Sequence, residues 1–288
     1  MIPQQNIVAW SKIAPWSEPR QIEQDLIIAR AVVLLFSDPF LREELRFRGG
    51  TALNKLHFPK PLRYSEDIDL ARTKQGPSKP IWDRIHALLD PWLGDPEYFR
   101  SPVAPAFRYT VDATDGSSAI RLKIEINEAE FTAFDAPVTV PYKVENPWFS
   151  GAANVATFSI EEVLATKIRA LLQRNKGRDL VDLAHSLEIF PKLDIQKTIN
   201  MFMAYTKGKP IPRWEAEKRM FEKLERQAFL ADVLPLLTAE ERAEFDEAAG
   251  KHAFARVFNG LIVKIPGKAW ATTSELLKKH GLSEETGA

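Results

Sequence analysis

The chain has 288 residues, with 39 Lys and Arg against 39 Asp and Glu, 45% hydrophobic residues and no Cys. This length and composition suffice for a sizeable core, so we expect one large domain or two smaller ones instead of a disordered protein. The lack of Cys excludes disulfide frameworks, thiolate zinc sites and a cysteine nucleophile. The longest apolar stretch, residues 31–36, is far shorter than the roughly 20 residues of a membrane span, and we expect a soluble cytoplasmic protein.

The first half of the chain mixes helical and strand patterns. Apolar residues recur near a 3.6-residue period over residues 22–35, and Asp38 before Pro39 can cap a short helix. A short strand then leads into paired glycines, and an acidic strand follows at residues 66–70. A helix over residues 78–92 precedes strands at residues 107–113, 119–127 and 137–144, with a hairpin turn at Asp115-Gly116. We predict an α+β unit that ends in an antiparallel meander.

The second half shows only helical patterns. We predict helices over residues 159–172, 179–188, 195–205, 214–234 and 239–263, and we expect residues 281–288 to lack structure. Small residues accumulate near residues 151–157. The sequence therefore predicts an α+β domain over residues 1–150 and a helical domain over residues 151–288.

The acidic strand is the first candidate for chemistry. Residues two apart in a strand project from one face, which places the carboxylates of Asp67 and Asp69 ~6–7 Å apart while Ile68 and Leu70 face the core. Such a pair suits a hard cation such as Mg²⁺. Glu125, on the polar face of a strand that we expect to be an antiparallel neighbour, can complete a carboxylate triad. The alternative is that these acids only solvate the outer face of a sheet.

The turn of Gly49, Gly50 and Thr51 lies between a strand and a helix. Glycines allow a ligand to approach the backbone closely, and a helix N-terminus offers free N–H groups to an anion. The spacing does not match a P-loop, and an ordinary tight turn is the simpler interpretation of the glycines alone. Beside the acidic strand, however, the turn predicts nucleotidyl or phosphoryl transfer, with a triphosphate at the glycines and metal at the carboxylates.

A basic segment opens the helical half. Lys167 borders the apolar stripe of its helix, and Asp179 and Asp182 share a face of the following one. Residues 167–226 hold 14 Lys and Arg against 8 Asp and Glu, a net charge of +6 in a neutral chain. This local excess suits a polyanion such as RNA, although a solvated basic helix would have the same composition.

Together these motifs resemble the AbiEii/AbiGii toxin family, a branch of the DNA polymerase β-like nucleotidyltransferase superfamily that includes the mycobacterial MenT toxins. The matching segments occur in family order at residues 47–53, 63–70, 167–170 and 174–183. The resemblance implies an α+β fold with a mixed sheet and helices, followed by an α-helical C-terminal domain that contributes residues to the cleft.

The resemblance also implies roles for individual residues. The nucleotide-binding set is Gly49, Gly50, Thr51, Ser65, Lys167 and Arg178. The metal, Mg²⁺ or Mn²⁺, would bind Asp67 and Asp69, with Glu125 retained as the third carboxylate on the strand pattern alone. The catalytic set is Asp67, Asp69 and Lys167, completed by Asp179 or Asp182. His57 and Arg63 lie between the motifs and receive no role.

The resemblance implies the toxin of a bacterial toxin–antitoxin or phage-abortive-infection system. Such an enzyme would transfer a nucleoside monophosphate from an NTP, often a pyrimidine such as CTP, to the 3′ end of tRNA and block translation. A cognate antitoxin is the expected protein partner, and no membrane is involved. Two alternatives stay open: the same transfer to a protein or small-molecule acceptor, and a non-catalytic module that binds nucleotide or RNA.

Overall fold

The computed structural model describes residues 2–226 and 229–283, and the chain divides into two compact units, Met1–Ser159 and Ile160–Ala288. The division follows Ser159, whereas the sequence placed it after residue 150. Of the residues expected to lack structure, 281–283 form a turn after the last helix, and 284–288 lie outside the described residues. In the described ranges, no helix combines the length and apolar character needed to cross a bilayer.

The first unit is an α+β unit built on a seven-stranded mixed sheet. Its helices are α1 (Gln4–Trp10), α2 (Pro19–Ser37), α3 (Pro39–Glu44), α4 (Gly49–Ala52), which continues into a π-helical turn (Leu53–His57), and α5 (Lys79–Leu93). Its strands are β1 (Leu45–Arg48), β2 (Asp67–Arg72), β3 (Glu97–Phe99), β4 (Ala106–Val111), β5 (Ile120–Asn127), β6 (Val138–Asn146) and β7 (Phe149–Thr157). The predicted α+β class is confirmed.

The order of the strands, β3-β4-β5-β2-β1-β7-β6, corrects the predicted meander. Strands β4 and β5 form the expected antiparallel hairpin, but β5 pairs in parallel with β2, and β6 pairs with β7 at the other edge. The alternation of a strand reveals which face is buried and contains no information on the direction of its neighbour. Strand β7 went unpredicted because Gly151, Ala152 and Ala153 have weak strand propensity.

Helix α2 packs on this sheet and contacts the acidic strand, β2, and its neighbour β5. Its buried apolar residues, such as Leu26 and Ile28, are fully covered, as are the inward residues of β5. The buried Gln24 side chain donates to the carbonyl oxygens of Glu66, at 3.2 Å, and Arg121, at 3.0 Å. The Glu66 carbonyl directly precedes β2, and the Arg121 carbonyl lies in β5. The helix therefore holds these two parallel strands in place.

A buried carboxylate, Asp25, joins three parts of the first unit. Its oxygens accept hydrogen bonds from Trp10 Nε1 at 2.9 Å and Trp16 Nε1 at 3.3 Å, and Lys55 Nζ lies 2.8 Å from Oδ1. Burial disfavours the charged ammonium of Lys55, but Asp25 and Tyr142 outweigh this effect and raise the pKa of Lys55. Because Lys55 lies in the π-helical turn, Asp25 anchors both the N-terminal arm and the segment that follows the glycines.

The second unit is helical in its described residues. Its helices are α6 (Ile160–Gln173), α7 (Gly177–Ile189), α8 (Ile195–Tyr205), α9 (Arg213–Leu224), α10 (Ala239–Glu244), α11 (Glu247–Gly260) and α12 (Thr273–Lys279), with 3-10 turns at Leu234–Leu236 and Ile262–Lys264. The helix predicted to run to residue 234 ends at Leu224. The one predicted over residues 239–263 is interrupted, because Asp246 caps a new helix by accepting from Ala249 N at 2.8 Å.

Replacing Asp25 with Asn should lower the free energy of unfolding by about 3–5 kcal/mol, because the Lys55 ammonium would stay buried without its counter-charge. Asp83→Asn is the matched control, since it removes an exposed partner of Lys79 and should change stability little. Equilibrium urea unfolding measures both. Equal effects of the two substitutions would contradict the role of Asp25 as an anchor.

Candidate active site

Strand β2 presents two carboxylates on one face. Asp67 and Asp69 are half-buried, whereas Ile68 and Leu70 between and after them are buried at 0% and 1% exposure. This is the alternation that the sequence predicts. The acidic face is therefore the outer face of a central strand, with the core behind it.

The neighbouring strand adds a carboxylate and a cation. The parallel register pairs Asp67 with Lys123 and Asp69 with Glu125, and residues paired in register lie on the same face. Lys123 Nζ forms an ion pair with the Glu125 carboxylate. Burial disfavours the charge on Lys123, but the hydrogen bond that Lys123 donates to Glu125 and the charges of Glu125, Asp67 and Asp69 outweigh it and raise the pKa of Lys123. A protonated lysine thus lies among the three carboxylates.

Lys123 was missed by the sequence reasoning, although the alternation that selects Glu125 selects it equally. Glu125 lies beside Asp69 as expected, but on a parallel strand and in an ion pair. Its role as a third metal ligand stays a prediction.

The glycine turn lies directly against Asp69. Gly49 has a φ of 78°, and a Cβ atom at this residue would lie 2.2 Å from Asp69 Oδ2. A Cβ at Gly50 would lie 2.6 Å from Arg63 Nη2. Gly49 is therefore favoured both by the close approach of Asp69 and by its left-handed conformation, whereas a side chain at Gly50 would displace the end of the Arg63 side chain. The turn and the acidic strand form one site.

Two hydroxyl groups connect the turn to the acidic strand. Thr51, 1% exposed, donates through Oγ1 to the backbone carbonyl of Asp67, and its Oγ1 lies 2.7 Å from Ser65 Oγ. A hydroxyl has one hydrogen, so Ser65 donates to Thr51. The Thr51 side chain is thus occupied within the protein, and the predicted contacts of Thr51 and Ser65 with nucleotide stay predictions.

Arg63 and Asn54 fix the segment that leads into β2. The Arg63 side chain is 2% exposed, and its Nη1 donates to the carbonyl of Tyr64 at 3.0 Å. Asn54 Oδ1 accepts from the backbone N–H of Leu62 at 2.8 Å, and Asn54 Nδ2 donates to Gly50 O at 2.9 Å. Asn54 was not predicted as a site residue, because an Asn in a helical pattern does not indicate that its side chain will hydrogen-bond to distant backbone groups.

The donor set of this face fits a divalent cation. Mg²⁺ usually takes one or two protein carboxylates and completes its octahedron with water and phosphate oxygens. Asp67 and Asp69 offer such a pair, and the missing Cβ of Gly49 leaves the backbone in close reach of Asp69 Oδ2. Within the described ranges, no group of three His, Asp or Glu side chains is arranged to hold a metal.

The residues predicted in the helical unit form an ion cluster of their own. Lys167 Nζ lies 3.1 Å from Asp179 Oδ1 and 2.7 Å from Asp182 Oδ2, and Arg174 Nε lies 2.7 Å from Asp179 Oδ2. Both carboxylates are fully buried. Burial disfavours the Asp179 carboxylate, but Lys167 and Arg174 outweigh it and lower the pKa of Asp179.

The helical cluster thus brings Lys167, Asp179 and Asp182 together, while Arg178 is half-buried beside them in sequence. Each charge in the cluster has an opposite partner, so removal of any one of them would leave a buried charge uncompensated. The predicted roles of these four residues in binding the triphosphate and in catalysis stay predictions.

The Gly49 contact gives a stability prediction. An Ala at a left-handed position costs roughly 1–2 kcal/mol, and forcing a new atom against a packed neighbour adds about 1–3 kcal/mol. Gly49→Ala should therefore destabilise the protein more than Gly116→Ala, because Gly116 has a φ of 72° but nothing within 4 Å of its Cβ position. Urea unfolding of both variants measures the difference, and equal losses would contradict the close approach to Asp69.

His57 gives a prediction on pH. Burial lowers its pKa from 6.5 to about 4, and its Nε2 has no hydrogen-bond partner within the described residues. The unfolded chain takes up this proton near pH 6.5 and the folded chain only near pH 4, so stability falls as the pH drops through this window. His57→Gln should remove about 1–2 kcal/mol of the loss between pH 7 and 5. The exposed His252→Gln is the control, and an unchanged loss in His57→Gln would refute the assignment.

Comparisons with known proteins identify the family. The family model described as "Nucleotidyl transferase AbiEii toxin, Type IV TA system" matches residues 32–251. No protein of curated function matches the chain. The structure of MenT4, a nucleotidyltransferase toxin from Mycobacterium tuberculosis H37Rv, is similar with a TM-score of 0.62 and 14% identity, over 96% of this chain and 93% of that one. JHP933 from Helicobacter pylori is similar with a TM-score of 0.55 and 16% identity, over 92% of this chain and 97% of that one.

The two structures show that the fold is shared, with its mixed sheet and its helical C-terminal region. The family model spans most of the chain, from within α2 to within α11, and includes the glycine turn, the acidic strand and the buried lysine. The chain belongs to the AbiEii family of nucleotidyltransferase toxins of type IV toxin–antitoxin systems.

Proposed function

We propose that this toxin transfers a nucleoside monophosphate from an NTP to the 3′ end of tRNA and so blocks translation when its cognate antitoxin does not counteract it. Membership of the family supplies the nucleotidyl transfer, the NTP and the antitoxin. One observation supports our placement of the reaction at this site. The glycine turn lies against Asp69, and Asp67 lies on the same strand and face as Asp69. A triphosphate at the turn would thus lie next to both carboxylates.

The turn is suited to the donor because it presents backbone donors without side chains. The first N–H groups of a helix have no partner within the helix, and their dipoles favour an anion. We assign this part of the site to Gly49, Gly50 and Thr51, with Ser65 held in place by its hydrogen bond with Thr51. A pyrimidine triphosphate such as CTP is our proposed donor.

In the transfer step, the 3′-hydroxyl oxygen of the acceptor forms a bond with the α-phosphorus of the NTP. The bond from the α-phosphorus to its bridging oxygen breaks, and pyrophosphate leaves with that electron pair. We assign the hydroxyl proton to the register pair of Asp69 and Glu125. Bound Mg²⁺ or Mn²⁺, held by Asp67 and Asp69, would supply neutralisation of the triphosphate charge. Lys123, in its ion pair with Glu125, would offset part of the negative charge of the carboxylates.

The acceptor is inferred from the charge of the helical unit. The net +6 over residues 167–226 lies in the unit that lacks the acidic strand, and it suits the phosphates of an RNA. Since NTPs and tRNA are present in the cytoplasm, we place the reaction there.

Asp67→Asn should reduce the transfer of label from α-³²P-CTP to total tRNA by about a hundredfold or more, because the metal that would neutralise the triphosphate loses one of its two carboxylates. Asp115→Asn, in the exposed hairpin turn, is the matched control and should keep full activity. The assay uses each of the four labelled NTPs with Mg²⁺. No transfer by the unmodified protein, or equal transfer by Asp67→Asn, would refute the proposal.

The same assay identifies the acceptor group. Periodate-oxidised tRNA has no 3′-hydroxyl and should receive no label. Labelling of oxidised tRNA would place the new bond elsewhere on the RNA, and labelling of protein or small molecules in place of tRNA would reject the acceptor that we propose.

A further inference from the structure

The helical unit contains two cavities that share Lys223 and Arg226. The larger has a volume of about 800 Å³, within the range of small-molecule sites. Apolar side chains such as Leu180, Leu224, Phe229 and Phe254 line one part of it, and charged side chains, among them Glu225, Asp246, Glu247, Lys251 and Lys279, line the rest. The smaller, of about 220 Å³, is polar and is lined by Gln173, Asn175, Arg219 and Glu222 besides the shared pair. Lys223 and Arg226 thus lie where the two cavities meet.

Lys223 is a buried ammonium without a carboxylate partner in the described part of the chain. It is 5% exposed, and its Nζ donates to the carbonyl of Arg174 at 2.8 Å and to Asn175 Oδ1 at 2.9 Å, both neutral oxygens. Burial, and then the like charges of Arg226 and Arg219, lower the pKa of Lys223 to about 8. A buried charge that lacks a counter-charge is costly, so this arrangement favours the entry of an anion.

The hydrogen bonds made within the protein leave some N–H donors of Lys223 and Arg226 available to a ligand. Lys223 and Arg219 satisfy carbonyl groups at the C-terminal end of α6, but an ammonium has three hydrogens, and only two of those of Lys223 are used. Arg219 is committed to the Leu172 carbonyl at 3.0 Å and to Glu215. Arg226 is exposed, and its guanidinium makes no hydrogen bond to the described residues. Lys251 and Lys279 also line the larger cavity, but they form ion pairs with Glu247 and Glu225, which leaves Lys223 and Arg226 to an anionic ligand.

The larger cavity offers aromatic surface and one unsatisfied polar atom. Phe229 lies with its ring centroid 5.7 Å from Lys223 Nζ, and Phe254 packs against Phe221. His280 stacks on Phe221, and its buried Nε2 has no hydrogen-bond partner in the described residues, with Glu225 Oε1 4.0 Å away. An aromatic ring with polar edges could pack against this surface and form a hydrogen bond with His280.

We propose that these cavities bind one nucleotide of the RNA acceptor, with a backbone phosphate at Lys223 and Arg226 and its base against the apolar and aromatic part of the larger cavity. An anion joined to a flat aromatic group is the chemistry that the two cavities match together. The proposal rests on the proposed function for the choice of RNA over a free nucleotide, and the experiment separates the two.

The test measures binding of 5′-fluorescein-labelled total tRNA by anisotropy, without NTP, at several salt concentrations. Arg226→Gln and Lys223→Met should each weaken binding several-fold and reduce the slope of log affinity against log salt by about 0.7–0.9, the value for one phosphate contact. His280→Ala should weaken binding without changing the slope, because it contacts the base. Lys218→Gln is the matched control: Lys218 is exposed on the same helix, 3.9 Å from Glu222, and lines neither cavity.

The outcomes are distinguishable. Normal tRNA binding and slopes in Arg226→Gln and Lys223→Met would overturn the proposal, and because Arg226 is exposed, its variant stays informative if Lys223→Met fails to fold. If CTP alone displaces tRNA from the wild type but not from Arg226→Gln, the cavities hold a free nucleotide, and the proposal is overturned. If the predicted slopes are found but no label is transferred to tRNA, the proposed function fails and the RNA site stands.

Discussion

The contact between Gly49 and Asp69 is the constraint on which the site depends. The antiparallel register of β1 and β2 pairs Arg48 with Asp69, so the chain leaves β1 and turns immediately over the acidic side chain. Any side chain at Gly49 would occupy the position of Asp69 Oδ2, and its left-handed φ already disfavours other residues. The glycine turn and the acidic strand therefore cannot be positioned independently of each other. The turn is held at its other end as well, because Lys55, in the π-helical turn that continues α4, is bound to the buried Asp25.

Charge compensation differs among three clusters of this chain. Lys167 and Arg174 form ion pairs with Asp179 and Asp182 inside the helical unit. On the acidic face, Lys123 forms an ion pair with Glu125 and lies opposite Asp67 on the neighbouring strand. Lys223, in contrast, has neutral oxygens as its hydrogen-bond partners among the described residues, and it lines two cavities. An anion that reached Lys223 would therefore supply a counter-charge that the described residues do not.

The sequence allowed the fold class and the principal face of the site to be predicted, because both depend on local periodicity. Alternation placed Asp67 and Asp69 on one side of a strand, and the paired glycines marked a turn. The direction of β5 could not be predicted, since alternation is the same in parallel and antiparallel strands, and β7 was hidden by its small residues. The contacts of the two glycines could not be predicted either. Asp69 is 20 positions from Gly49 and Arg63 is 13 positions from Gly50 in the chain, and only tertiary packing brings them together.

The neutral net charge of the chain bears on how such an enzyme would select RNA. Non-specific affinity for nucleic acids grows with the number of phosphates that cations neutralise, and it weakens steeply with salt. Because the chain has 39 positive and 39 negative side chains, we expect its surface as a whole to have little non-specific affinity for nucleic acids. Binding must then depend on a few cations in defined places, where desolvation strengthens their interaction with a phosphate. A buried lysine with a depressed pKa suits this requirement, because an arriving phosphate would stabilise its charged form and accept a strong hydrogen bond from it.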